Sequence, residues 1–137
     1  MKFFVSLLFF TFFIMCCSNQ VTNSEVSNNQ VSFFTDRQSY SENDTIIVTI
    51  DNESDSTLMI GLRCGGTLEM FYQKMENNNW SDNMYFYYMT LRCPTIMDSV
   101  LSNEKFSQPF LSSIFDSSGT YRLVLNETIF SNSFTIN

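Results

Sequence analysis

Histidine is absent from this 137-residue chain. That removes Ser-His-Asp and Cys-His catalytic arrangements and imidazole metal ligation. Glycine occurs only four times, and no phosphate-cradling glycine loop is present. Basic residues are also few: seven Lys and Arg stand against fourteen Asp and Glu, for a net charge of −7. No run of Lys or Arg offsets that balance, so the surface repels phosphate backbones and anionic lipid, and nucleic acid is excluded as an expected partner. Charged side chains make up only 15% of the chain, and Asn, Ser and Thr supply the polarity instead. Those residues compete with the helical backbone for hydrogen bonds, which favours strands and turns.

What is present points the same way. Apolar residues reach 44% and aromatic residues 16%, mostly Phe and Tyr, which suit a half-buried pleated surface. The length fits one domain. The N-terminus runs Met1-Lys2, then the apolar stretch FFVSLLFFTFFIM, then Cys16-Cys17-Ser18-Asn19. A basic residue, a short apolar core and an abrupt polar junction form a signal-peptide pattern. The apolar stretch is shorter than the ~20 residues that span a bilayer.

No small-residue site of the A-x-A kind precedes the polar region. The stretch ends instead in Ile14-Met15-Cys16-Cys17. This resembles the lipobox of bacterial lipoproteins, where cleavage falls just before a cysteine that carries diacylglycerol. A small residue usually precedes that cysteine, which favours Cys17 after Cys16, with Cys16 as the alternative. The resemblance implies a lipoprotein signal peptide at 1–16 and a membrane partner reached through N-terminal lipid. An uncleaved signal anchor is the other arrangement the segment allows. Residues 17–30, with the sequence SNQVTNSEVSNNQ after the cysteine, contain no aromatic and only isolated valines. They bury too little to offset chain entropy and are expected to form a flexible tether.

From Val31 to Asn137 the chain alternates period-two stretches with polar clusters. Strands are expected at Val31 to about Asp36, Thr45 to Ile50, Thr57 to Cys64, Leu68 to Met75, Met84 to Cys93, Lys105 to Phe110, Thr120 to Leu125 and Phe130 to Ile136. Glu76-Asn77-Asn78-Asn79 reads as a hairpin connection leading to Trp80, and Pro94 as a strand stop. The expected fold class is all-β, a sandwich or barrel of about 7–8 strands.

Four stretches together resemble the immunoglobulin-like domains of bacterial exported proteins. They are Tyr40 followed by a polar turn and TIIVTIDN, the Trp80 hairpin, Ser118-Gly119-Thr120-Tyr121-Arg122-Leu123, and Ser131-Asn132-Ser133-Phe134-Thr135-Ile136. The resemblance implies an Ig-like β-sandwich over residues 31–137 and a tyrosine corner at Tyr121. Leu123 stands where an antibody domain has its second cysteine, so the inter-sheet bridge of that family is not implied. The matched motifs are structural and assign no ligand or catalyst.

Cys64 and Cys93 are the cysteines left in the domain, in matching surroundings: Leu62-Arg63-Cys64-Gly65 and Leu91-Arg92-Cys93-Pro94. In an exported domain such a pair is expected to form a disulfide. With no C-x-x-C, no histidine and no third thiol, zinc is not expected. Asp51, Glu53 and Asp55, like Glu42 and Asp44, read as solvated turns; the alternating acids lack the glycine and terminal Glu of a calcium loop. Arg63 and Arg92 would approach each other across the bridge, as exposed strand residues with packed stems.

The most unusual feature is the Met and aromatic cluster of Met70-Phe71-Tyr72 with Met84 to Met89, where Tyr85, Phe86, Tyr87 and Tyr88 follow one another. Alternate side chains face opposite sides of a strand, so these rings cannot all point inward. Tyr85, Tyr87 and Trp80 are therefore the expected binding residues for a protein or glycan partner. No catalytic residue, metal or cofactor is expected. The functional expectation is a non-enzymatic protein of the bacterial cell envelope, lipid-anchored on the periplasmic side or the cell surface, with an Ig-like binding or accessory domain. The alternatives are an Ig-fold, protease-inhibitor-like protein or a purely structural envelope protein.

Overall fold

A computed structural model describes residues 30–137. The expected signal peptide at 1–16, the lipidation site at Cys17 or Cys16, and all of the expected tether except Gln30 lie outside the described residues.

In chain order the domain runs through β1 (Val31–Thr35), β2 (Ser39–Tyr40), β3 (Thr45–Asn52), β4 (Leu58–Arg63), β5 (Thr67–Leu68) and β6 (Phe71–Glu76). It continues through β7 (Asn79–Trp80), β8 (Met84–Tyr85), β9 (Thr95–Val100), β10 (Glu104–Leu111), β11 (Gly119–Leu125), β12 (Ile129–Phe130) and β13 (Phe134–Ile136). Two short 3-10 turns, Tyr87–Thr90 and Ser112–Ile114, are the only helical elements among the described residues. One sheet has the order β1-β3-β10, a second β2-β13-β11-β6-β7, and a third β5-β4-β9. The result is an all-β sandwich around one core.

The β-branched stretch TIIVTIDN shows how sequence makes the first layer. Ile46, Val48 and Ile50 alternate inward and are almost fully buried, as the two-residue period of a strand requires. The opposing layer contributes Tyr121, Leu123, Leu125, Phe134 and Ile136. Between the layers Phe115 lies within 4.6 to 5.6 Å of the rings of Tyr72, Phe86, Tyr121 and Phe134. Each buried ring of this kind contributes roughly 1.5–3 kcal/mol by leaving water.

β1 and β2 lie in different sheets, and Asp36 and Tyr40 fix the crossing between them. The Tyr40 hydroxyl donates to Asp36 Oδ1 at 2.8 Å, and the Ile47 amide donates to the same oxygen at 2.8 Å. β2 then pairs in parallel with the last strand, β13. Asn52, fully buried at the end of β3, donates to the carbonyls of Ser56, Val100 and Leu101. A single amide thereby ties two turns to the first sheet. The tyrosine corner implied by the resemblance is present: Tyr121 is buried and its hydroxyl donates to the Ser117 carbonyl at 2.7 Å.

With so little glycine, asparagine takes the left-handed turn positions. Asn43, Asn77, Asn78, Asn103 and Asn126 all have positive φ, which Asn tolerates better than most residues. Asn77 and Asn78 form a two-residue turn, with Glu76 opposite Asn79 and Met75 opposite Trp80. Positive φ at both central positions is the type I′ hairpin geometry.

The structure corrects the strand expectations in four places. The stretch from Leu68 to Met75 divides, with Leu68 ending β5 in the third sheet and Phe71 opening β6 in the second. The segment from Met84 to Cys93 is not one strand: only Met84–Tyr85 pairs, and the chain then winds into the 3-10 turn. Phe86 and Tyr88 both turn inward and stack at 5.6 Å, 11° apart, and core packing outweighs strand propensity. Residues Thr95–Val100, after the stop at Pro94 and without an expected strand, form β9 against β4. The stretch from Phe130 to Ile136 breaks at Ser131 to Ser133, because side chains replace the ladder there. The Leu123 amide donates to Ser131 Oγ, and the Thr35 amide donates to Asn132 Oδ1.

Cys64 and Cys93 are bonded, with Cα atoms 5.1 Å apart across a separation of 29 residues. The chain-entropy model assigns such a loop roughly 3–4 kcal/mol. Replacing both cysteines by serine is expected to lower unfolding free energy by about that amount, read as a lower urea midpoint with an unchanged far-ultraviolet circular dichroism spectrum.

Candidate functional site

The site is built on the outer face of the second sheet. On β6, Tyr72 points into the core against Phe86, Phe115 and Tyr121. By alternation Phe71, Gln73 and Met75 point out. On β11, Tyr121, Leu123 and Leu125 are in the core, so Arg122 and Val124 lie on the outer side. Register then aligns the outer residues across four strands. Tyr85 is opposite Phe71, Phe71 opposite Val124, and Val124 opposite Phe130. Gln73 is opposite Arg122, and Met75 opposite Trp80.

Side chains fill this grid in a particular way. The Tyr85 ring packs edge-on against Phe71 at 5.0 Å and is 65% exposed. Between Trp80 and Phe130 lies the Arg122 guanidinium, 4.4 Å from one ring centre and 4.2 Å from the other. Arg122 Nε donates to Gln73 Oε1 at 2.7 Å, and Gln73 Nε2 donates to Asn83 Oδ1 at 2.8 Å. Burial against the rings lowers the Arg122 pKa from its ordinary value; the group remains a cation, as arginine does in proteins. Arg37 and Lys105 form ion pairs with Asp36, Asp44 and Asp51, but no carboxylate among the described residues pairs with Arg122. A planar cation is thus held between two aromatic faces on an acidic domain, with one edge committed to Gln73.

The three expected binding residues are placed differently. Tyr85 stands in the outer row. Trp80 is half-buried, and the guanidinium covers its ring. Tyr87 begins the 3-10 turn and is 81% exposed, the highest among the large hydrophobic side chains of the described residues. The segment that carries Tyr85 and Tyr87 is pinned from behind. The Tyr88 hydroxyl donates to the Leu68 carbonyl at 2.7 Å, and burial pushes its pKa well above the ordinary tyrosine value. Arg63 donates to the carbonyls of Met89 and Leu91 and to Thr95 Oγ1. It is therefore a clamp rather than an exposed neighbour of Arg92, which is the correction to that expectation. Its Nε is buried without a partner.

Arg122 and Phe130 belong to the site but were not singled out by sequence reasoning, whereas Phe71 stood in the Met and aromatic cluster. A signal was available in TYRLVL: an arginine between inward-facing Tyr121 and Leu123 must sit in the middle of the outer face. The acidic turns do not converge. Asp44 accepts from the Ser41 amide and from Arg37, and Asp51 pairs with Lys105 at 2.5 Å. Among the described residues no three His, Cys, Asp or Glu side chains are grouped to hold a metal ion. Near Phe71 an open cleft of about 290 Å³ is lined by Gly61, Glu69, Met97, Asn126 and Glu127.

The single tryptophan reports directly on this stack. Arg122→Ala is expected to cost about 1–2 kcal/mol of stability, from two cation–π contacts. Trp80 fluorescence should become more accessible to acrylamide in that variant. Arg122→Lys should restore less than half of the loss, because an ammonium cannot lie flat between two rings.

No protein-family model matches the chain and no curated protein matches it, so the site rests on its own geometry.

Proposed function

We propose that this chain is a lipid-anchored protein of a bacterial cell envelope whose Ig-like domain binds a protein partner without catalysis. The observation that carries the reading is the outer face of β6, β7, β8, β11 and β12. Tyr, Trp and Arg dominate the binding energy of protein interfaces, most of all where they are held rigid. Here Tyr85 packs on Phe71, and Arg122 is fixed between Trp80 and Phe130. Stacking on both sides favours a protein over a glycan, because the faces of Trp80 and Phe130 that a sugar ring would use are shared with the guanidinium. A carboxylate on the partner suits the uncommitted edge of Arg122. The anchor rests on the sequence pattern ending at Cys16 and Cys17.

A second reading has its own support. The Tyr87 turn is short, exposed at its first residue, and fixed by the Cys64–Cys93 bridge and by Arg63. A rigid protruding loop of this kind suits a protease-inhibitor-like role.

Two experiments test these readings. Full-length protein labelled with palmitate in a bacterium should lose its label in Cys17→Ala and keep it in Cys16→Ala; unlabelled wild type would sink the anchor. A photo-crosslinking residue placed at Tyr85, at Tyr87 or at exposed Ser107 on the opposite sheet separates the surfaces. Adducts from Tyr85 that vanish with Arg122→Glu support the outer face, adducts from Tyr87 alone support the loop, and adducts only from Ser107 overturn both.

A further inference from the structure

β9 is the outer strand of the β5-β4-β9 sheet, paired without interruption from Thr95 opposite Arg63 to Val100 opposite Leu58. The Cys64 amide donates to the Pro94 carbonyl at 3.0 Å, which fixes the phase of this ladder. Its hydrogen-bonded pairs are Ile96 with Leu62, Asp98 with Ile60 and Val100 with Leu58. The peptide groups of Thr95, Met97 and Ser99 therefore point away from β4, towards the open side. The Ser99 amide is capped by the Asp98 carboxylate at 2.8 Å. The amides of Thr95 and Met97 have no such cap among the described residues.

The other long edge strands are protected. β1 has its Thr35 amide taken by Asn132, and β10 carries Lys105 and Pro109, both of which discourage pairing at an edge. β9 has no Lys, Arg, Pro or bulge. Its side chains are exposed on both faces, including Ile96 at 53% and Met97 at 60%. The strand is also fixed at both ends, by the disulfide beside Thr95 and by buried Val100.

We infer that β9 pairs antiparallel with β9 of a second copy of this chain, across a two-fold axis at Met97. In that register Met97 exchanges both of its hydrogen bonds with its counterpart, and each Thr95 amide donates to the Ser99 carbonyl opposite. The register is self-complementary in charge: Asp98 falls opposite Ile96, not opposite another Asp98. The two sheets become one continuous sheet, and the apolar side chains of the two strands cover each other.

Proline at Met97 removes only an outward-pointing amide, so the ladder with β4 stays intact. The full chain in density-matched detergent is expected to sediment as a monomer–dimer equilibrium, and the Met97 amide to gain hydrogen-exchange protection with rising concentration. Met97→Pro should weaken the dimer by roughly thirtyfold or more, with the Ile96 and Asp98 amides still protected. Met97→Lys should weaken it similarly through edge repulsion, while Met97→Thr, which keeps the amide, should stay within about threefold of wild type. A monomer at every concentration, or a dimer indifferent to both Met97→Pro and Met97→Lys, overturns the inference.

Discussion

Arg63 reaches from the end of β4 into the carbonyls of Met89 and Leu91, and the neighbouring Cys64 is bonded to Cys93. Together they fasten a segment that would otherwise cross the domain surface with few ladder bonds of its own. Its upstream side is held by Phe86 and Tyr88, which sit in or against the core. Its downstream side is β9. Both surfaces assigned a role, the aromatic row with Tyr85 and the open edge at Met97, are therefore positioned by the same fastening. Among the described residues no carboxylate pairs with half-buried Arg63, and its buried Nε has no hydrogen-bond partner. Its fastening therefore rests on the carbonyls of Met89 and Leu91 and on Thr95 Oγ1.

The outer face and the core share strands but follow opposite chemistry. Inward positions of β6 and β11 carry Tyr72 and Tyr121, whose rings pack against Phe86, Phe115 and Phe134, and the Tyr121 hydroxyl finds the Ser117 carbonyl. Outward positions carry a cation, amides and half-exposed rings, with the Arg122 guanidinium lying over both Trp80 and Phe130. Gln73 and Asn83 extend that stack as a hydrogen-bonded chain, which restricts the arginine rotamer before any partner arrives. Rigidity of this kind lowers the entropy lost on binding.

Much of the fold was legible because strand alternation is a local property. TIIVTIDN, TYRLVL, the Asn77-Asn78 turn and the Cys64–Cys93 pairing could be read directly, since β-branching, left-handed turn residues and compartment chemistry need no knowledge of distant neighbours. Tyr121 at the corner was legible only through resemblance. The segment from Met84 to Cys93 was misread because its propensity is that of a strand while the core demands two of its rings. β9 was hidden because Pro94 reads as a stop and Thr95–Val100 shows no clear alternation of its own, so its extension rests on pairing with β4. The stack at Arg122 was missed because its members come from β7, β11 and β12, and their meeting depends on register between strands far apart in sequence.

The chain enters the domain at Val31, which is opposite Asn52, and Asn52 in turn binds the Val100 carbonyl at the far end of β9. β9 therefore runs towards the pole where the N-terminal segment attaches. In an antiparallel pair the second strand runs the other way, so the two points of attachment lie at opposite poles of the assembly. In the proposed pair the polarity of one strand thus sets the two Val31 residues at opposite ends, an arrangement suited to bridging rather than to side-by-side clustering.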